Sequence, residues 1–76
     1  MKNPIMHELE IERKEYDSII SGMKSYIVIQ DNMNYAIGDM ICFKNMQKKN
    51  EETCYKISCL SRECVGLENG YCIIGW

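Results

Sequence analysis

Polar and apolar side chains alternate through His7-Glu8-Leu9-Glu10-Ile11, which predicts a first strand with Leu9 and Ile11 facing inward. Over residues 13–21 the period lengthens, and Tyr16, Ile19 and Ile20 recur at helical spacing on one face. Gly22 stands where that helix must stop, because glycine reaches the left-handed conformation that satisfies the last carbonyls without a Cβ clash. Ser25-Tyr26-Ile27-Val28-Ile29-Gln30 is β-branched and aromatic and apolar on both faces, which predicts a central strand buried on two sides.

Asp31-Asn32-Met33-Asn34 is a turn cluster, and Gly38-Asp39 marks a second bend before Met40-Ile41-Cys42-Phe43-Lys44 resumes the strand pattern. Residues 47–52 are polar and charged, and predict a flexible hairpin loop with Lys48 and Lys49 solvated. Cys54-Tyr55-Lys56-Ile57-Ser58-Cys59-Leu60 reads as one further strand, with Tyr55, Ile57 and Cys59 on one face and Cys54, Lys56 and Ser58 on the other. Gly66 and Asn69-Gly70 supply turns ahead of a final strand, Tyr71-Cys72-Ile73-Ile74-Gly75, which ends near Trp76. No repeat, linker or low-complexity tract interrupts this order. The sum is a mainly β, α+β chain: a small closed or nearly closed barrel, which removes exposed edges, with one helix between the first two strands.

At 76 residues the chain has material for one core, so residues 1–76 are read as a single domain. Its 11 acidic residues outnumber 9 basic ones, so it lacks the basic excess that draws many domains to nucleic-acid backbones, and any such binding must use a local patch. No apolar run approaches the roughly 20 residues of a membrane-spanning helix. Met1-Lys2-Asn3-Pro4 leads into no apolar signal segment. These readings predict a soluble, cytoplasmic chain without a membrane partner.

The five cysteines, Cys42, Cys54, Cys59, Cys64 and Cys72, include no Cys-x-x-Cys pair, and the one histidine, His7, is far from them in sequence. Tetrahedral zinc sites announce themselves by two close ligand pairs, so no metal is expected. The odd count argues against an all-disulfide framework, and the expectation is reduced, mostly buried thiols. No cofactor motif is present. Gly22-Met23-Lys24-Ser25 is not a phosphate loop: position 17 is Asp where the upstream glycine is needed, and the glycine ends a helix instead of opening one.

Taken in order, His7-Glu8-Leu9-Glu10-Ile11, Ile20-Ser21-Gly22-Met23-Lys24-Ser25-Tyr26, Tyr35-x-x-Gly38-Asp39 and Gly70-Tyr71-Cys72-Ile73-Ile74 resemble a small bacterial and phage branch of the ASCH (activating signal cointegrator homology) family. The resemblance covers nearly the whole chain and rests on the order of motifs that are individually weak. It implies a PUA-like β-barrel with a helix beside the first strands, and RNA binding. The family pattern Gly-x-Lys-(Thr or Ser)-x-Glu-x-Arg falls on Gly22, Lys24 and Ser25, but its Glu and Arg positions are Ile27 and Ile29 here. Those two share a strand face, so a charged pair has become an aliphatic one.

Three functions follow as expectations. The first is a non-catalytic RNA-binding module with a partly degenerate site. Lys24 would meet phosphate, Ser25 and the Gly22 backbone would hydrogen-bond, Tyr26 or Tyr35 would stack on an unpaired base, and Arg13 and Lys14 would extend the patch. It predicts a positive cleft around Lys24. The second is a protein-interaction or phage accessory module presenting Met23, Met33 and Met46, which predicts an exposed apolar patch. The third is an acetylcytidine amidohydrolase, which the resemblance places on Lys24 with a threonine and a glutamate. The threonine position is Ile27, Ser25 points to the opposite face from Lys24, and nothing ties Glu63 to them. A lone His7 supports no other catalytic arrangement.

Overall fold

The computed structural model describes residues 3–76. Its elements run β1 (Met6–Ile11), α1 (Arg13–Ile20), β2 (Tyr26–Gln30), β3 (Met40–Asn45), β4 (Glu52–Lys56), β5 (Cys59–Ser61) and β6 (Tyr71–Gly75). The strands form two three-stranded sheets, β1-β3-β4 and β2-β6-β5. β1 lies parallel to β3, with Leu9 opposite Phe43, and every other pairing is antiparallel. The chain is therefore mainly β with one helix between its first two strands, and no closed barrel forms among the described residues.

Period-two burial places His7 and Ile11 inward on β1, Ile41, Phe43 and Asn45 on β3, and Cys72 and Ile74 on β6. Tyr16 and Ile19 of α1 complete this core, together with Ile27 of β2. Trp76 stands against it, 5.1 Å from Phe43 and 5.2 Å from Tyr55 between ring centroids. Ile20 turns outward instead of joining Tyr16 and Ile19, because a helix of eight residues buries only the narrow row set by its i, i+3 pair.

The predicted strand over residues 54–60 is two strands. Ile57, fully buried, donates its N–H to the Asp39 carbonyl at 2.8 Å, and Ser58 donates to the Gly75 carbonyl at 2.9 Å. The chain changes sheets at that corner, and Cys59 ends up exposed rather than beside Ile57. The six strands thus make one folded ribbon, joined where β4 runs into β5, with β1 and β2 as its end strands; among the described residues, β4 and β5 each keep one unpaired side as well.

The sequence expectation for β2 needs the larger correction. It is an edge strand, paired only with β6, and it buries one face: Ile27 is inside while Tyr26 and Val28 are about half exposed, at 52 and 47 %. An all-apolar strand pattern cannot distinguish two-sided burial from one buried face and one apolar exposed face.

The cysteines also depart from expectation. Cys42 and Cys54 sit opposite one another in the β3–β4 register, 3.9 Å apart at Cα, and form a disulfide. Cys59 and Cys64 are free and exposed, and Cys72 alone is a buried free thiol, its pKa pushed up by burial. The polar loop over residues 47–52 also holds the start of the helix. Gln47 accepts the Arg13 N–H at 2.9 Å, filling a vacancy at the start of α1 that Glu12 leaves without a side-chain cap.

Candidate functional site

The end of α1 aims the predicted turn. Gly22 takes φ +80°, its N–H donates to the Ile19 carbonyl, and the Lys24 N–H donates to the Ser18 carbonyl, so the chain folds back along the helix before entering β2. This return sends the Lys24 side chain over α1, where Nζ donates to Glu15 Oε1 at 2.5 Å. The pair is partly sheltered, with Lys24 27 % and Glu15 32 % exposed. Nζ also stands 5.3 Å from the centre of the Tyr26 ring, a cation–π arrangement.

Gly22, Lys24, Ser25 and Tyr26 are consequently grouped, but the positive charge among them is already engaged. Ser25 is exposed, and its carbonyl accepts the Trp76 N–H at 3.1 Å. Arg13 lies in the first turn of α1, at the far end from Gly22, 3.7 Å from Asp17 across a solvated i, i+4 pair. Lys14 is exposed beside it. Tyr35 does not join the group: it is 4 % exposed, with its ring 4.7 Å from His7, and burial raises its hydroxyl pKa. A ring packed in the core offers no face to a base.

Beside the Lys24–Glu15 pair runs a groove of about 330 Å³. Ile11, Ile27, Val28 and Met46 form its apolar part, and Glu10, Glu12 and Glu15 its polar part. It lies between β1 and β2, the end strands of the ribbon. The sequence-based RNA expectation asked for a positive cleft around Lys24, whereas this opening is bordered by carboxylates. The protein-interaction expectation asked for exposed apolar surface, and Met23, Met33 and Met46 are all exposed, with Ile20, Tyr26 and Val28 near the turn.

Two other constellations were not foreseen. His7 Nε2 donates to Asp39 Oδ2 at 2.8 Å, and Oδ1 of the same carboxylate accepts the Ile5 N–H at 3.1 Å. The hydrogen bond from His7, then that from Ile5, hold the Asp39 pKa below its ordinary value, so the carboxylate is the acceptor and Nε2 carries the proton. A larger cleft of about 470 Å³ reaches Asp39 from residues 3–5, 34 and 36–38. Both Asp39 oxygens are already occupied, so the pair ties the start of β1 to the bend before β3. A histidine opening a strand and a Gly-Asp bend were each visible in the sequence, but not their meeting. Separately, donor atoms of Cys42, Cys54 and Glu52 fall within 4.8 Å of one another. The two sulfurs are bonded to each other and the Glu52 carboxylate faces Lys44 at 3.7 Å, so this group is a disulfide beside an ion pair and not a metal centre.

A protein-family model described as "Domain of unknown function (DUF3850)" matches residues 6–76. The chain belongs to this family. The match spans every strand and the helix, so the groove and the His7–Asp39 pair both lie inside the DUF3850 domain. A search of curated proteins returned no match. Among the described residues of this DUF3850 chain, no helix is long and apolar enough to cross a membrane.

Proposed function

We propose that this chain is a non-catalytic protein-interaction module on an ASCH-type, PUA-like plan, and that the groove between α1, β1 and β2 is its binding seat. The barrel reading is supported by the ribbon order, β1-β3-β4 continuing into β5-β6-β2, which describes a barrel opened at the seam between β1 and β2. One observation carries the functional reading: the groove combines an aliphatic floor with three glutamates, and the nearby lysine is neutralised by one of them. Apolar floor and charged rim are the anatomy of a protein-binding surface. Phosphate is disfavoured there, since each carboxylate raises the work of bringing up a second anion. Ile27, at the position the ASCH resemblance gives to a threonine, brings no hydroxyl to the groove.

A second reading, RNA or nucleotide binding, is favoured by the half-exposed Tyr26 ring beneath Lys24, on which an unpaired base can stack. Affinity capture from cell extract separates the two. The expected result is a protein retained by the wild-type chain, lost with Val28→Asp, and unaffected by ribonuclease. Retained RNA, or release by ribonuclease, would favour the second reading and overturn the first. Hydrolysis of acetylated cytidine by the purified chain would overturn the non-catalytic assignment.

A further inference from the structure

The bonds at the two ends of β2 fix the direction in which its peptide groups point. Trp76 donates to the Ser25 carbonyl at 3.1 Å and Asp31 donates to the Gly70 carbonyl at 2.8 Å, in line with the register that pairs Tyr26 with Gly75 and Gln30 with Tyr71. Hydrogen-bonded pairs alternate along an antiparallel ladder. Residues 25, 27, 29 and 31 therefore turn their N–H and C=O groups to β6, and Tyr26, Val28 and Gln30 turn theirs to the opposite side, where the strand order places no neighbour among the described residues.

That side is the groove. It touches both Glu10 and Ile11 of β1 and both Ile27 and Val28 of β2. Adjacent strand residues point to opposite faces, so an opening bordered by both members of each pair runs along the strand edges and not over a sheet face. Free edges are usually blunted with lysine, proline or a bulge, because an unpaired row of peptide groups is a template for another chain. β2 carries none of these: its sequence is Tyr-Ile-Val-Ile-Gln. The charged residues that line the opening are instead on the facing elements: Glu10 and Glu12, together with Glu15, which is paired with Lys24.

Resting on the reading of this groove as a protein-binding seat, we propose that it takes one extended segment of a partner protein, added as a strand to the free edge of β2, with lysine or arginine side chains set among aliphatic ones. Main-chain hydrogen bonds to Tyr26, Val28 and Gln30 supply affinity, and alternate side chains supply selectivity. Aliphatic side chains meet Ile11, Ile27 and Met46, and cationic ones meet Glu10 and Glu12, Glu15 being held by Lys24. Five residues of β2 offer an edge about 17 Å long, room for a segment of similar length.

The test is an amide-shift and hydrogen-exchange titration of the full isotope-labelled chain. Its probes are a short peptide alternating lysine and valine, its glutamate–valine counterpart, and a short oligouridylate. The lysine–valine peptide is expected to shift the amides of residues 10–12, 15 and 26–30 and to protect Tyr26, Val28 and Gln30 from exchange, while Ile27 and Ile29 change little. Substituting Glu10→Gln and Glu12→Gln together is expected to weaken it about tenfold. Val28→Pro, which deletes an outward N–H that an edge strand can spare, is expected to abolish the protection. Equal binding by the double variant, stronger binding of the acidic peptide, or groove shifts without exchange protection would overturn this inference while leaving the groove a protein seat. Groove shifts from oligouridylate alone, or from none of the probes, would overturn both.

Discussion

Reduction of the Cys42–Cys54 bridge should remove a large part of this domain's stability. The bridge closes a loop whose ends are 12 residues apart, for which the chain-entropy relation gives about 3 kcal/mol at room temperature. The native hairpin is also held by five paired register positions and by Lys44, which reaches Glu8 at 3.4 Å and Glu52 at 3.7 Å. Reduction should therefore leave the fold intact and act mainly by releasing the unfolded chain. In a domain of this size each kcal/mol moves the thermal midpoint by about 4–8 °C, so the reduced form should melt roughly 12–24 °C lower. Thermal melts with and without a phosphine reductant measure the difference. Maleimide labelling in denaturant establishes the starting state: three reactive thiols when Cys42 and Cys54 are bridged, and all five after reduction. A midpoint shift below about 4 °C, with labelling confirming the bridge, would refute the reasoning.

Asp39 has a depressed pKa in the folded chain, caused first by the His7 hydrogen bond, so its contribution is present above the unfolded value of about 4 and is lost as pH falls through the folded value. Acid unfolding should accordingly set in below about pH 4, and Asp39→Asn should be less stable at neutral pH with a flatter profile in acid; parallel melting curves for the two proteins across that range would contradict this. Gly22→Ala meets no atom within 4 Å of the added Cβ, so its effect is conformational alone: φ of +80° predicts a loss of about 1–2 kcal/mol in chemical denaturation. A change within about 0.5 kcal/mol, as for an ordinary surface substitution, would show that the α1 cap does not need glycine.

The candidate site was legible only in part. Gly22 as a helix stop and Lys24 just beyond it follow from local rules, since a C-terminal cap involves residues within one turn of each other. Where Lys24 points was not legible, because its partner, Glu15, is reached only by a chain reversal whose angle no periodicity encodes. Tyr26 and Tyr35 looked alike as stacking residues; packing on His7 buries one, and an edge position exposes the other. The groove itself has no signature in the sequence, since it lies between two strands that are separated by a helix and do not pair.

By itself the sequence determined the mainly β character, the single helix, the turn positions and the inward face of β1. Propensity, period and turn chemistry act over a few neighbouring residues and can be read along the chain. The tertiary structure alone decided that β2 is an edge, that one apparent strand crosses from sheet to sheet at Ile57, that Cys42 meets Cys54, and that His7 meets Asp39. Each of these depends on which strand lies beside which. Period two reports the face a side chain takes, but the identity of its neighbour is set by the competition of every strand for a partner and for the one small core.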